Sequence, residues 1–382
     1  MEKIKLVVVL GMHRSGTSLI TCGLQTLGVD LGDNLMPPAD CNAKGFFEDL
    51  DINKLNMDML TALYGGDDWW RAELLSAQQV NHLYEKGFYS TAHQLLIKKT
   101  TTTGVYGFKD PRMAKLLPFW TGVFGNGCYD VKYIIVIRNP MSVVQSLQNR
   151  DKLDETHSYL MWLGYTLQSM MSTNLSSRII VDYDLLMQNP EQQLTRVASA
   201  FGLPIESDII KDYSNKFIAK SMRHSLYQTA DLYLDNKCPR TVCEVYDTLL
   251  SIATDRLTIF APQIEENVSM WLKETNTISV FIQSSDRLVS INNQANQELA
   301  SCNEKITSLN QELASCNDKI TSLNQELASC NDKITSLNQE LASCNDKITS
   351  LNQELVNVYQ SKSYRVTKPV RIMARFIRKT FL

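Results

Sequence analysis

The amino-acid sequence predicts an α/β fold, a parallel sheet flanked by helices, followed by a long coiled-coil helix. Apolar runs and helical patterns alternate over residues 1–275, and a glycine-containing loop follows the first apolar run. A 14-residue repeat then predicts a coiled coil over residues 281–359, and residues 362–382 form a basic tail. With 44% hydrophobic and 21% charged residues among 382, the chain has the composition of a globular protein.

The first domain is predicted from its succession of strands and helices. The run from Lys3 to Leu10 is rich in Val and Leu, as in a strand buried on both faces, and a helical pattern follows from about Gly16 to Leu27. Further strands are predicted at 131–137 and 178–182, and further helices at 140–149, at 190–201 and over much of 206–274. Because strands that are joined through helices pair in the same direction, the sheet is expected to be parallel.

The loop from Gly11 to Ser18 reads Gly-Met-His-Arg-Ser-Gly-Thr-Ser and has the glycine spacing of a P-loop. Between a strand and a helix, such a loop can bind an anion through backbone N–H groups and the helix start. Nucleoside triphosphatases have Lys directly after the second glycine, where this chain has Thr17, so ATP chemistry is not favoured. The cation of this loop is Arg14, which we expect to bind and polarise a group attached to the end of a 5′-phosphate. The expected fold is therefore a P-loop-like parallel sheet.

Three further segments carry polar residues of interest. The segment Ile134-Ile-Val-Ile-Arg138-Asn-Pro is a strand that ends in Arg, and Ser146 follows eight residues after that Arg. A guanidinium at a strand end can form paired hydrogen bonds to a phosphate, and a hydroxyl can add a third. The other two segments are Phe108-Lys-Asp-Pro-Arg112 and Gly45-Phe-Phe-Glu-Asp49.

Together these segments resemble the sulfotransferases that use 3′-phosphoadenosine 5′-phosphosulfate (PAPS), and the resemblance covers residues 4–225. The Arg-Ser-Gly-Thr sequence of the loop is similar to that of tyrosylprotein and bacterial members, whereas cytosolic members have Lys in place of Arg14. The resemblance implies that Arg138 and Ser146 bind the 3′-phosphate of the donor. The donor-binding residues that it implies are Gly11, His13, Arg14, Ser15, Gly16, Thr17, Ser18, Arg138 and Ser146.

The resemblance also implies the chemistry. A sulfuryl group is expected to pass from PAPS to an acceptor hydroxyl without a metal ion, while Arg14 and Lys109 stabilise negative charge. Glu48 is the expected proton acceptor, with Asp49 and Asp51 as alternatives. Five histidines offer the base that cytosolic members use, but none lies in a matching motif: His13, His82, His93, His157 and His224.

The repeat runs from Asn296 to Leu351 and corresponds to two heptads per module. With Leu299 at position a, Leu or Ile occupies the a positions through Leu355, and Leu alternates with Cys302, Cys316, Cys330 and Cys344 at the d positions. We interpret these cysteines as small apolar residues of a seam. The g positions alternate Lys and Glu, while the e positions are Asn. Such g positions would be complementary in an antiparallel pair of helices, but the number and direction of the helices stay open. The pattern predicts self-association.

The tail has seven Lys and Arg residues and no acid, so the net charge of −3 for the whole chain becomes −10 without it. After Pro369, apolar Val370, Met373, Phe376, Ile377 and Phe381 share one helical side, and the cations share the other. This pattern is typical of a helix on an anionic membrane surface, and nucleic acid is the less favoured partner. No apolar run approaches the roughly 18 residues of a membrane span, and the N-terminus has no signal-peptide pattern. We therefore expect a cytoplasmic protein that is peripheral on the inner membrane face.

The acceptor is inferred from the tail. Residues 363–369, Ser-Tyr-Arg-Val-Thr-Lys-Pro, resemble tails that follow coiled coils in bacterial polysaccharide-assembly enzymes, so a glycan or glycolipid acceptor is expected. Two alternatives stay open: a non-catalytic, membrane-tethered coiled-coil scaffold with a degenerate P-loop domain, and a nucleotide kinase. The presence of Arg14, Lys109, Arg138 and Ser146 favours the enzyme over the scaffold.

Overall fold

The structure of the chain is a computed structural model that describes residues 3–39, 42, 45–101, 103–125, 129–174, 176–217 and 227–381. The chain folds as two compact units, Met1–Asn292 and Asn293–Leu382.

In the described part of the first unit, four strands form one parallel sheet in the order β2-β1-β3-β4. Their bounds are β1 Ile4–Leu10, β2 Val105–Lys109, β3 Tyr129–Ile137 and β4 Ser177–Asp182. The central strand β1 pairs with β2 through Val9 opposite Lys109, and with β3 through Val9 opposite Ile134. The prediction of a parallel sheet flanked by helices is confirmed.

Helices connect and cover these strands. Their bounds in the first unit are α1 Thr17–Gln25, α2 Leu50–Tyr64, α3 Ala77–Glu85, α4 Phe88–Thr100, α5 Pro111–Gly125, α6 Pro140–Asp151, α7 Glu155–Ser172, α8 Tyr183–Gln188, α9 Pro190–Phe201, α10 Ser207–Phe217, α11 Thr229–Leu234, α12 Arg240–Ala253 and α13 Pro262–Thr277. The predicted helices that follow β1, β3 and β4 correspond to α1, α6 and α9, each within about two residues of its predicted bounds.

The core lies on both faces of the sheet. Leu6, Val8 and Leu10 of β1 belong to one buried cluster, and the intervening Val7 and Val9 belong to another. All five are 0% exposed, as expected for a central parallel strand with helices on either side. Burying such side chains stabilises the fold by about 1.5–3 kcal/mol each.

Strand β2 was not predicted, because it has only five residues and includes Gly107. That glycine has a packing reason: a Cβ atom there would lie 2.5 Å from Cγ1 of Val29. The short strand matters for the site because it ends at Lys109.

The helix α14, Ser279–Gln360, begins within the first unit. There Ile282 and Asp286 are buried, and the Asp286 carboxylate accepts hydrogen bonds from the backbone N–H groups of Ala72 and Glu73 at 2.8 and 3.1 Å. The first compact unit therefore includes residues beyond 275, through Asn292.

The second unit contains the rest of α14, then α15, Lys362–Val366, and α16, Lys368–Phe381. The apolar side chains Val370, Met373 and Phe376 of α16 are exposed by 68%, 69% and 75%. Among the described residues, no helix is both long and apolar enough to cross a membrane.

Candidate active site

The candidate site lies where the parallel strands end. Because the strands run in one direction, their carboxyl ends meet at the same edge of the sheet, where ligands of open α/β sheets usually bind. The loop after β1, Lys109 at the end of β2, Arg138 after β3 and Tyr183 after β4 all line one cavity of about 990 Å³. This volume is that of a small-molecule site.

The loop after β1 is shaped by its two glycines. Gly11 has φ +152°, and a Cβ atom there would lie 2.7 Å from the carbonyl oxygen of Val136. Gly16 has φ +86°, and a Cβ atom there would overlap the ring of Tyr183. Between them, the Ser15 N–H donates to the Met12 carbonyl at 3.1 Å, and α1 begins at Thr17. The loop therefore turns tightly and ends at the start of a helix, as a phosphate-binding loop must.

Arg14 is the one loop residue other than glycine with positive φ, +69°. The left-handed conformation costs free energy for a side-chain-bearing residue, and such residues are concentrated at functional sites. Its Nε donates to Ser146 Oγ at 2.8 Å, and its carbonyl oxygen accepts from Arg138 Nη1 at 3.1 Å. The Arg138 guanidinium also lies 4.6 Å from the centroid of the Tyr183 ring. The three predicted residues Arg14, Arg138 and Ser146 are thus brought into one connected group.

Several buried polar atoms at this edge, within the described residues, have no hydrogen-bond partner: His13 Nε2, Ser15 Oγ, Arg138 Nε and Ser142 Oγ. A buried donor without a partner costs about 1–3 kcal/mol, so such atoms are unusual unless a ligand satisfies them. Arg138 and Ser142 both line the cavity beside Ser146, since Ser142 precedes Ser146 by one turn of α6. The Arg138 guanidinium and the Ser142 hydroxyl can therefore donate hydrogen bonds to an anion in the cavity.

A buried ion pair also lines the cavity. Lys109 Nζ is 2.6 Å from Glu48 Oε1, and the two side chains are 2% and 7% exposed. The second carboxylate oxygen of Glu48 accepts a hydrogen bond from Asn53 Nδ2 at 2.9 Å. Burial raises the pKa of Glu48, and the nearby positive charge of Lys109 opposes this effect. Glu48 is therefore a carboxylate that is held in place and more basic than a solvated Glu.

The residues that follow Lys109 support this pair. Asp110 accepts hydrogen bonds from Asn56 Nδ2 and from the Arg112 backbone N–H, both at 2.9 Å. Arg112 in turn donates from Nε to Asp67 at 2.8 Å. The Asp-Pro-Arg part of this segment therefore fixes the end of β2 against α2.

The acidic alternatives to Glu48 have other partners. Asp49 caps α2 by accepting from the Asp51 and Ile52 N–H groups, and it also pairs with Lys99 at 2.6 Å. Asp51 is 42% exposed and pairs with the same Lys99, whose hydrogen bond lowers the pKa of Asp51. Glu48 lines the cavity, whereas Asp49 and Asp51 do not.

His13 lies in the cavity wall with its ring 4.3 Å from the Trp69 ring, centroid to centroid. Burial lowers the pKa of His13 well below its usual value, and the cations Arg112 and Arg150 lower it further. Its imidazole is therefore neutral at physiological pH. Three of the other histidines, His82, His93 and His157, do not line the cavity, and His224 lies outside the described residues.

The structure thus brings most of the predicted site residues together. Those lining the cavity are His13, Arg14, Gly16, Thr17, Ser18, Glu48, Lys109, Arg138 and Ser146. Gly11 and Ser15 do not line it: Gly11 shapes the turn, and the Ser15 side chain is fully buried. Lining residues that were not predicted for the site include Asn53, Trp69, Ser142 and Tyr183. Within the described residues, no group of three or more His, Cys, Asp or Glu is placed to hold a metal ion.

Comparison of the chain with known proteins identifies the family to which it belongs. A model described as "Sulfotransferase family" matches residues 7–207, which is more than half of the 382 residues. No curated protein matches the chain. Among solved structures, it is similar to the sulfotransferase domain of the Synechococcus PCC 7002 olefin synthase, at 14% identity and a TM-score of 0.36, with 65% of this chain and 95% of that chain covered. It is also similar to retinol dehydratase in a complex with retinol and PAP, at 10% identity and a TM-score of 0.24, with 72% of this chain and 81% of that chain covered. Both likenesses are distant, and the family model carries the assignment.

Proposed function

Because the chain belongs to the sulfotransferase family, we propose that it transfers a sulfuryl group from PAPS to a hydroxyl group of a glycan or glycolipid. The observation that carries this proposal is the arrangement of two polar groups in one cavity. One is the linked Arg14, Ser146 and Arg138, and the other is the Lys109–Glu48 ion pair.

The donor is proposed to lie between the loop after β1 and α6. Its 5′-phosphosulfate end fits the loop, where N–H groups at the start of α1 and the Arg14 cation favour an anion. Its 3′-phosphate fits Arg138 and Ser146, together with the Ser142 hydroxyl. Among the described residues, neither Ser142 Oγ nor Arg138 Nε has a hydrogen-bond partner. The Arg14–Ser146 hydrogen bond joins the residues proposed for the two ends.

The transfer itself requires charge stabilisation and a proton acceptor. The acceptor oxygen attacks sulfur, the new S–O bond forms, and the bond from sulfur to the bridging oxygen of the 5′-phosphate breaks, releasing adenosine 3′,5′-bisphosphate. Arg14 and Lys109 stabilise the negative charge that develops on the bridging and sulfuryl oxygens. Glu48 takes the hydroxyl proton, since its buried carboxylate lines the cavity and its pKa is raised.

The acceptor and location are proposed from α16. Its apolar residues are exposed while cations occupy the opposite side, which is the pattern of a helix that lies in the headgroup region of an anionic membrane. We expect the protein to be held at the inner membrane face, where membrane-linked glycan precursors present hydroxyl groups.

The proposal is tested by incubating the purified chain with PAPS carrying a labelled sulfate and with lipid and glycan extracts. We expect label to enter a glycan or glycolipid fraction, and adenosine 3′,5′-bisphosphate to raise the melting temperature. ATP serves as the control ligand. Absence of both transfer and stabilisation would contradict the proposed reaction, and ATP-dependent product formation would favour a nucleotide kinase.

A further inference from the structure

The second unit carries a long apolar stripe on α14. Fourteen Leu, Ile and Val side chains, which lie three, four or seven residues apart, are each 51–63% exposed: Leu299, Ile306, Leu309, Leu313, Ile320, Leu323, Leu327, Ile334, Leu337, Leu341, Ile348, Leu351, Leu355 and Val358. The cysteines that complete the stripe are also exposed. A helix with this pattern is stabilised mainly by burying the stripe against another helix.

The residues that flank the stripe differ between its two sides. On one side, the residue before each a position from Ile306 to Leu355 alternates in charge: Lys305, Glu312, Lys319, Glu326, Lys333, Glu340, Lys347 and Glu354. On the other side, the residue after each d position is Asn from Asn303 to Asn345. In a parallel pair the charged side of one helix faces the Asn side of its neighbour, whereas in an antiparallel pair the charged sides face each other. Only the antiparallel arrangement uses the alternating charges.

The charge sequence is self-complementary when the chain is reversed about the point between Ala328 and Ser329. In this arrangement, Lys305 of one copy lies beside Glu354 of a second copy, with an offset of two residues along the helix. The remaining pairs are Glu312 with Lys347, Lys319 with Glu340, and Glu326 with Lys333. Each pair forms twice, because the arrangement has twofold symmetry.

The apolar layers fit the same register. Leu327 meets Cys330 of the second copy, Ile320 meets Leu337, and Leu299 meets Val358. In this register, every layer therefore pairs two apolar residues. A shift of seven residues places Lys against Lys and Glu against Glu, and a shift of fourteen leaves one module at each end without a partner. The centred register is therefore the one that satisfies both charge and burial.

We propose that residues 299–358 bind a second copy of this chain as an antiparallel coiled coil centred between Ala328 and Ser329. The charged side of the helix selects the direction, and the length of the repeat selects the register. The interaction is independent of the sulfotransferase site.

Two charge variants of the full-length chain test the direction. One replaces Glu312, Glu326, Glu340 and Glu354 by Lys, and the other replaces Lys305, Lys319, Lys333 and Lys347 by Glu. In sedimentation equilibrium, we expect each variant alone to self-associate at least about tenfold more weakly than the unmodified chain, since all facing charges become alike. An equimolar mixture of the two should regain the lost association.

A matched control carries the same charge change on the outer side of the helix, with Glu304, Asp318, Asp332 and Asp346 replaced by Lys. This control should self-associate like the unmodified chain. Carbodiimide cross-linking of a mixture of isotopically light and heavy chains should join Lys305 to Glu354 between copies. Two results would overturn the proposal: self-association of both charge variants at unmodified strength, as expected for a parallel pair, and a monomeric unmodified chain.

Discussion

Lys109 Nζ and Glu48 Oε1 lie 2.6 Å apart, although 61 residues separate them in the sequence. Both side chains are buried and line the same cavity as Arg14. In the proposed reaction, Lys109 would stabilise the developing negative charge and Glu48 would accept the departing proton.

Replacing Glu48 by Gln is expected to slow transfer by about 10²–10⁴-fold while donor binding changes little. The amide keeps the size of the side chain and its contact with Asn53 but cannot accept the acceptor's proton. Initial transfer rates and calorimetric titration with adenosine 3′,5′-bisphosphate separate the two effects. Asp51→Asn is the control, since Asp51 lies outside the cavity, and full activity of Glu48→Gln would reassign the base.

The raised pKa of Glu48 predicts an acid limb in the pH profile of transfer. The base acts in its ionised form, so the rate should fall as the pH decreases through a value above that of a solvated Glu. The measurement is kcat from pH 4.5 to 8 with a soluble acceptor. The limb should be absent from the residual activity of Glu48→Gln. An unchanged limb in that variant would show that another group titrates.

Two glycine substitutions compare the phosphate loop with an unrelated turn. Gly16→Ala places a Cβ against the Tyr183 ring at φ +86°, whereas Gly87→Ala has a similar φ of +83° with nothing within 4 Å. The left-handed conformation alone costs about 1–2 kcal/mol in each variant. Gly16→Ala should in addition lose at least about tenfold in affinity for adenosine 3′,5′-bisphosphate, because the loop must move. Equal affinities of the two variants in calorimetry would contradict this assignment.

The sequence was sufficient to find residues at fixed offsets from strand ends. Arg14 lies in the loop four residues after the end of the apolar run of β1, Arg138 directly follows β3, and Ser146 follows Arg138 by eight residues. Ser142 carried a usable signal, since it lies four residues before Ser146 on the same side of α6. The contact of Glu48 with Lys109 had no such signal, because it depends on how the start of α2 packs against the short strand β2. Likewise, the elimination of Asp49 required its hydrogen bonds as a helix cap, which only the structure gives.

The basic tail is expected to bind anionic membranes through both its apolar side and its cations. Deleting residues 362–382 should abolish binding to vesicles that contain anionic lipid without lowering transfer to a soluble acceptor.

Two double variants, each of which lowers the net charge by two, separate apolar insertion from charge attraction. Met373→Asp with Ile377→Asp places charges on the exposed apolar side, and Arg375→Ala with Arg378→Ala removes cations from the other side. Because apolar burial and attraction to the headgroups both contribute, both pairs should weaken vesicle flotation, and the Asp pair should do so by at least about tenfold more. Equal losses in the two pairs would indicate attraction through charge alone, and continued flotation of the truncated chain would place the membrane contact elsewhere.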